Sequence, residues 1–119
     1  MPDLLVIDPE AIETLRSLSP DDNDEFLKEV TGIFLDDTPK RIAELDESLA
    51  AGDLPKFTRA AHSIKGSAAN LGAVALSAAA GKIEHHARTA GLADTTGLID
   101  EVKAEFTRAN AELTRILKK

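Results

Sequence analysis

Apolar residues recur along this chain at spacings of three and four, and that pattern predicts five helices and no strands. Asp8-Pro9 supplies a cap and a favourable first-turn proline for a short helix over 9–18. Ser19-Pro20-Asp21-Asp22 fits a capping box opening a long second helix, with Phe26, Val30, Ile33, Ile42, Leu45 and Leu49 as its apolar face. Pro39 falls inside that helix and removes one backbone donor, which predicts a kink near Thr38 but no break, because the apolar spacing resumes in phase. Gly52 ends it, and Asp53 caps a third helix that runs to about Leu71. After Gly72, a fourth helix buries Leu76, Ala79, Ala80, Ile83, Ala87 and Ala90 and stops at Gly91. A fifth begins near Thr95 and repeats Leu98, Val102, Phe106, Ala109, Leu113 and Ile116. The predicted fold is all-α: an antiparallel, up-down four-helix bundle over 20–117 with an additional short N-terminal helix, in one domain spanning 1–119.

Within that frame the third helix carries an anomaly. At about 100° per residue, Ala60, Ala61, Ile64, Ala68 and Leu71 all lie within about 60° of Phe57 and define a buried stripe. His62 lies about 140° from Phe57 and Gly66 about 180°, so the imidazole is expected to point at water. Lys65 stands one turn on, and Gly66 and Ala69 leave the row beside the ring nearly bare. An exposed glycine in a helix interior costs about 0.8–1 kcal/mol against alanine, and room for something large to approach is one reason to carry it. Gly81 likewise interrupts a helix, with no role visible in the sequence.

Composition narrows the chemistry. The 119 residues include no cysteine, which rules out disulfides and thiolate metal sites and suits the cytoplasm. The first residues carry no Lys or Arg and only a four-residue apolar run, unlike a secretory signal, and no stretch is of membrane-spanning length. A net charge of −7 without Tyr or Trp argues against nucleic acid. No glycine-rich phosphate loop occurs, so ATP chemistry is not expected. His85 and His86 diverge by about 100° on a helix and do not share one metal ion; both are read as surface residues. Ser67 reads as a helix residue near the packed side.

His62-Ser63-Ile64-Lys65-Gly66-Ser67, followed by Asn70-Leu71-Gly72-Ala73, resembles the signature of histidine-containing phosphotransfer (HPt) domains of multistep phosphorelays. Phe34-Leu35-Asp36-Asp37-Thr38-Pro39, the Ala50-Ala51-Gly52-Asp53 turn and Ile83-Glu84-His85-His86-Ala87-Arg88 extend the likeness over roughly residues 26 to 90. Ile64 replaces the more frequent Leu, a change the core tolerates.

The resemblance implies a phosphoryl carrier and not an enzyme, with His62 accepting through Nε2 from a receiver-domain aspartyl phosphate and passing the group to another receiver. Imidazole suits the task because it is largely neutral near pH 7 and surrenders phosphate more readily than a serine. Lys65 would supply positive charge where the transferring oxygens gather it, Gly66 clearance, and Arg59 a contact to the partner or its phosphate. Glu84 and Arg88, an i,i+4 pair, are candidates for orienting the ring if their face turns toward it. The implied partners are response-regulator receiver domains and a hybrid sensor histidine kinase, with no cofactor on this chain, Mg²⁺ on the receiver only, and a monomeric state. Two rivals remain: a helical interaction module that docks receiver-like partners without carrying phosphate, and a kinase dimerisation fragment. The second lacks the acidic residue and proline that typically follow a kinase histidine.

Overall fold

The computed structural model describes residues 5–18, 21 and 24–118. Five helices follow one another: α1 Pro9–Ser17, α2 Glu25–Ala51, α3 Leu54–Asn70, α4 Val74–Ala90 and α5 Thr96–Leu117. No strand occurs among the described residues. α2 packs on α3, α3 on α4, α4 on α5, and α5 returns to α2, which closes a four-helix bundle; α1 lies against α2. The α3–α4 seam is the most extensive. The two helices bury six alanines, Ala60, Ala61, Ala68, Ala79, Ala80 and Ala87, and such short side chains let helix axes approach closely.

Local signals set the helix ends. The Asp8 side chain accepts from Glu10 N, and the Asp53 side chain from Lys56 N, each satisfying a first-turn donor ahead of a proline or leucine start. Gly52 closes α2 with φ +71°, a left-handed conformation that side chains disfavour. α2 begins at Glu25 after Asp24, whose φ is +65° and whose side chain makes no cap bond and pairs with Arg16 instead. Ser19, Pro20 and Asp22 of the expected capping box lie outside the described residues. α2 continues unbroken through Pro39, whose ring is exposed.

The buried face of α2 differs from the expected one. Ile33 is 62% exposed, and Phe26, Val30 and Leu49 are only half-buried, whereas Leu27, Thr31, Phe34, Thr38, Ile42, Leu45 and Ser48 form the core stripe. Counting apolar residues misses this stripe because three of its members carry hydroxyls. Ser48 satisfies its hydroxyl on its own helix, Oγ donating to Glu44 O at 2.5 Å. On α4, Ala90 is exposed and Glu84 is buried in its stead; on α5, Ile99 joins the core ahead of Leu98. Phe34 and Phe106 meet across the bundle, ring centroids 5.9 Å apart and tilted by 54°.

The N-terminal segment is lashed to the α3–α4 turn. Asp8 N donates to Gly72 O at 2.7 Å, and Ala75 N to Leu5 O at 3.0 Å. Gly72 has φ +73°, and a Cβ there would lie 2.5 Å from Ala11 Cβ, so only glycine admits both the turn and the seat of α1. Gly72→Ala should therefore lower stability by about 2 kcal/mol or more, read as a lower urea midpoint. Thr31 has the opposite sign: its hydroxyl is buried with no hydrogen-bond partner among the described residues. Thr31→Val should raise stability by about 1 kcal/mol, visible as a higher midpoint at unchanged slope.

Candidate functional site

α3 presents His62 on its outer face, with the side chain 63% exposed. The stripe that buries Phe57, Ala61, Ile64 and Ala68 fixes this rotation of the helix, since each of those residues is at most 1% exposed. α4 lies alongside and brings up Glu84, whose side chain is only 7% exposed. Three cationic or polar donors converge on that carboxylate. Lys65 Nζ lies 2.5 Å from Oε1, Arg88 Nη2 donates to Oε2 at 2.8 Å, and His62 Nδ1 lies 2.8 Å from the same Oε2.

Burial alone would favour the neutral acid, yet the hydrogen bond from Lys65, with those from Arg88 and His62 and the ammonium charge, outweighs desolvation and holds Glu84 down to about 2. A carboxylate ionised across the physiological range only accepts, so the His62 atom facing it must be Nδ1–H. In the neutral ring the lone pair then resides on Nε2, the nitrogen remote from Glu84. The buried charge thus selects the tautomer, as a carboxylate bonded to the outer nitrogen of a metal-bound histidine does.

The remaining candidates divide. Gly66 is exposed, and a Cβ built there meets nothing within 4 Å, so the surface beside His62 is bare as expected. Lys65 is not a free charge one turn from the ring but the principal partner of Glu84, its side chain 40% exposed. Arg59 is exposed and edges a shallow, open depression together with His62 and Arg88. Ser67 turns its hydroxyl onto Ser63 O at 2.9 Å, a local helix bond. His85 is exposed, and His86 Nε2 lies 2.6 Å from Ala93 O at the end of α4; neither reaches the site. Glu84 was legible only as half of an i,i+4 pair. The stronger signal was its place directly after Ile83 on an alanine-rich helix, where an acid enters the buried face.

On the α2 side of α3 a largely apolar groove of about 390 Å³ opens, lined by Leu15, Val30, Ile33, Phe34 and Leu71, with Asp37, Ser67 and Asn70 as its polar members. Asn70 lies about 80° around the α3 axis from His62, and Gly66 lies between the two at about 40°.

Comparison with known proteins agrees with this arrangement. The family model described as Hpt domain matches residues 29–112. The chain is 34% identical over 70 residues to multistep phosphorelay regulator 1 of Schizosaccharomyces pombe, covering 59% of this chain and 24% of that protein. It therefore spans about a quarter of the length of that relative. Among solved structures, histidine-containing phosphotransfer protein B from Pseudomonas aeruginosa PAO1 superposes with a TM-score of 0.86 at 26% identity, covering 98% of this chain and 97% of that one. The Medicago truncatula phosphotransfer protein MtHPt2 has the same fold, with a TM-score of 0.83 at 22% identity over 95% of this chain and 78% of its own. This chain belongs to the Hpt family, the histidine-containing phosphotransfer domains.

The Glu84 cluster has a consequence for acid stability. The folded chain binds the Glu84 proton only near pH 2, the unfolded chain at the ordinary glutamate value, so between these limits the unfolded state holds more protons. The contribution is complete above about pH 5 and is lost as pH falls toward 2, amounting to about 2 kcal/mol once screening of the exposed Lys65 and Arg88 is allowed for. Urea titrations at pH 3 and pH 6 should show somewhat more than half of this difference for the unmodified protein and a correspondingly smaller one for Glu84→Gln.

Proposed function

We propose that His62 is the phosphoryl acceptor of a multistep phosphorelay, taking the group from an aspartyl phosphate on a receiver domain and returning it to another receiver. One observation carries the reading: Nδ1 is engaged by a buried, ionised Glu84, which leaves Nε2 as the nucleophile on an open face. In the forward step the Nε2 lone pair attacks phosphorus, the bond from phosphorus to the aspartyl oxygen breaks, and the donor carboxylate is released. No proton leaves Nδ1, so the product ring holds both N–H and N–P bonds and carries a positive charge beside the Glu84 carboxylate. The same atoms run in reverse when the next aspartate attacks.

The surroundings suit this exchange. Lys65 and Arg88 together exceed the single charge of Glu84 by one, so the site presents net positive charge to a phosphoryl group bearing about −1.5 to −2. Arg59, at the rim of the same depression, adds a third cation within reach of the partner face. Phosphoryl transfer asks chiefly for positioning and charge, and a rigid helix with a clamped ring supplies both. Mg²⁺ would reside on the receiver. The bare surface at Gly66 and the apolar groove with exposed Ile33 give that receiver a place to dock. We place the domain in the cytoplasm as a monomeric carrier that neither binds ATP nor phosphorylates itself; no helix among its described residues is long and apolar enough to cross a membrane.

Incubation with a receiver domain charged by acetyl phosphate tests the assignment. The unmodified protein should take up acid-labile, base-stable label, and His62→Gln none. Label retained by His62→Gln, or absent from the unmodified protein with every receiver tried, would refute it and favour a docking module that carries no phosphate. Two surface variants separate docking from chemistry. Gly66→Leu and Ile33→Asp should each slow transfer from a receiver about tenfold or more, while uptake from a small phosphoramidate donor, which needs no docking face, stays within about twofold.

A further inference from the structure

Gly81 is the remaining exception on α4, a half-buried glycine in the interior of an alanine-rich helix. Its φ is not in the left-handed region, so no turn requires it. Nor does close helix packing: a Cβ at position 81 would meet a single heavy atom within 4 Å among the described residues, and that atom is Lys65 Cδ at 3.5 Å, with no backbone of α3 in range. The space above Gly81 is thus occupied by the stem of the lysine that reaches Glu84. One turn earlier on the same row, Ser77 Oγ donates to the backbone carbonyl of Lys65 at 3.1 Å, fixing the point from which that stem departs. Residues 77, 81 and 84 follow at i, i+4 and i+7, so bond, stem contact and carboxylate lie in line along α4.

We propose that Ser77 and Gly81 are positioning residues of the phosphotransfer site, forming a trough on α4 that seats the aliphatic stem of Lys65 and delivers its ammonium to Glu84. A lysine on an outer helix face would otherwise extend into water, where its many rotamers compete with any single partner. The trough removes that freedom on one side, and Glu84 removes it at the tip. The functional consequence, a firmer hold on the His62 tautomer, rests on the reading of His62 as acceptor; the trough itself does not.

Alanine should be tolerated at position 81, because its Cβ makes an ordinary contact with the stem, whereas leucine projects into the path of the stem. Three readouts test the proposal. In the unmodified protein, nuclear Overhauser contacts should join the Lys65 side-chain methylenes to the Gly81 α protons; their absence overturns it. The Glu84 carboxyl carbon, followed by ¹³C NMR, should titrate near 2 in the unmodified protein and in Gly81→Ala, and at about 3 or higher in Gly81→Leu and Lys65→Met. A folded Gly81→Leu whose Glu84 titrates as in the unmodified protein refutes the trough. Phosphoryl uptake by Gly81→Leu should fall about fivefold, as in Lys65→Met, and that by Gly81→Ala should stay within about twofold. Should Gly81→Leu fail to fold, Ser77→Ala decides: the Lys65–Gly81 contacts weaken if the anchor matters and are unchanged if it does not. The proton contacts and the Glu84 titration need no phosphate, so their failure leaves the role of His62 standing, and a His62 that takes no label leaves the trough standing.

Discussion

A single buried carboxylate organises the working face of this bundle. Glu84 is surrounded on both oxygens by Lys65, Arg88 and His62, and a charge removed from water in this way is tolerable only while its partners stay in place. That demand runs in both directions. Glu84 needs cations at hand to remain ionised, and His62 needs an ionised acceptor to keep its proton on Nδ1. The nitrogen left free on the ring, Nε2, is therefore defined by a buried residue on the neighbouring helix.

The bundle serves this constraint by bringing α3 and α4 close. Alanines along their seam allow the approach, and rotation of α3 is set by the core residues Phe57, Ala61, Ile64 and Ala68. With the rotation fixed, His62 stands at the crest, Lys65 leans toward α4, and Gly66 leaves the opposite flank clear. The crest is exposed, as the role proposed for His62 requires, since an acceptor that meets two different partners must be open to both.

The helices of the third and fourth segments were legible because their apolar residues keep a single phase and their ends carry ordinary punctuation: Asp53 before Leu54, Gly72 and Gly91 after. The second was legible in extent but not in face. Thr31, Thr38 and Ser48 are counted as polar in a linear reading, yet a helix can bury hydroxyls, so the true stripe passed through them and left Ile33 outside. Ile33 consequently lines the groove between α2 and α3 and does not enter the core.

What the chain dictates by itself is the helical phase: which residues of α3 point inward, and hence that His62, Lys65 and Gly66 share an outer surface. Those are consequences of a period of about 3.6 residues and hold for the isolated segment. The pairing of His62 with Glu84 across 22 positions was a matter for tertiary structure, as were the diversion of Lys65 from solvent onto that carboxylate and the seat of its stem over Gly81. Periodicity assigns each residue a direction relative to its own axis, but it carries no information on the offset and rotation between two axes. Only packing of α3 against α4 sets those, and with them the charge and tautomer of the site.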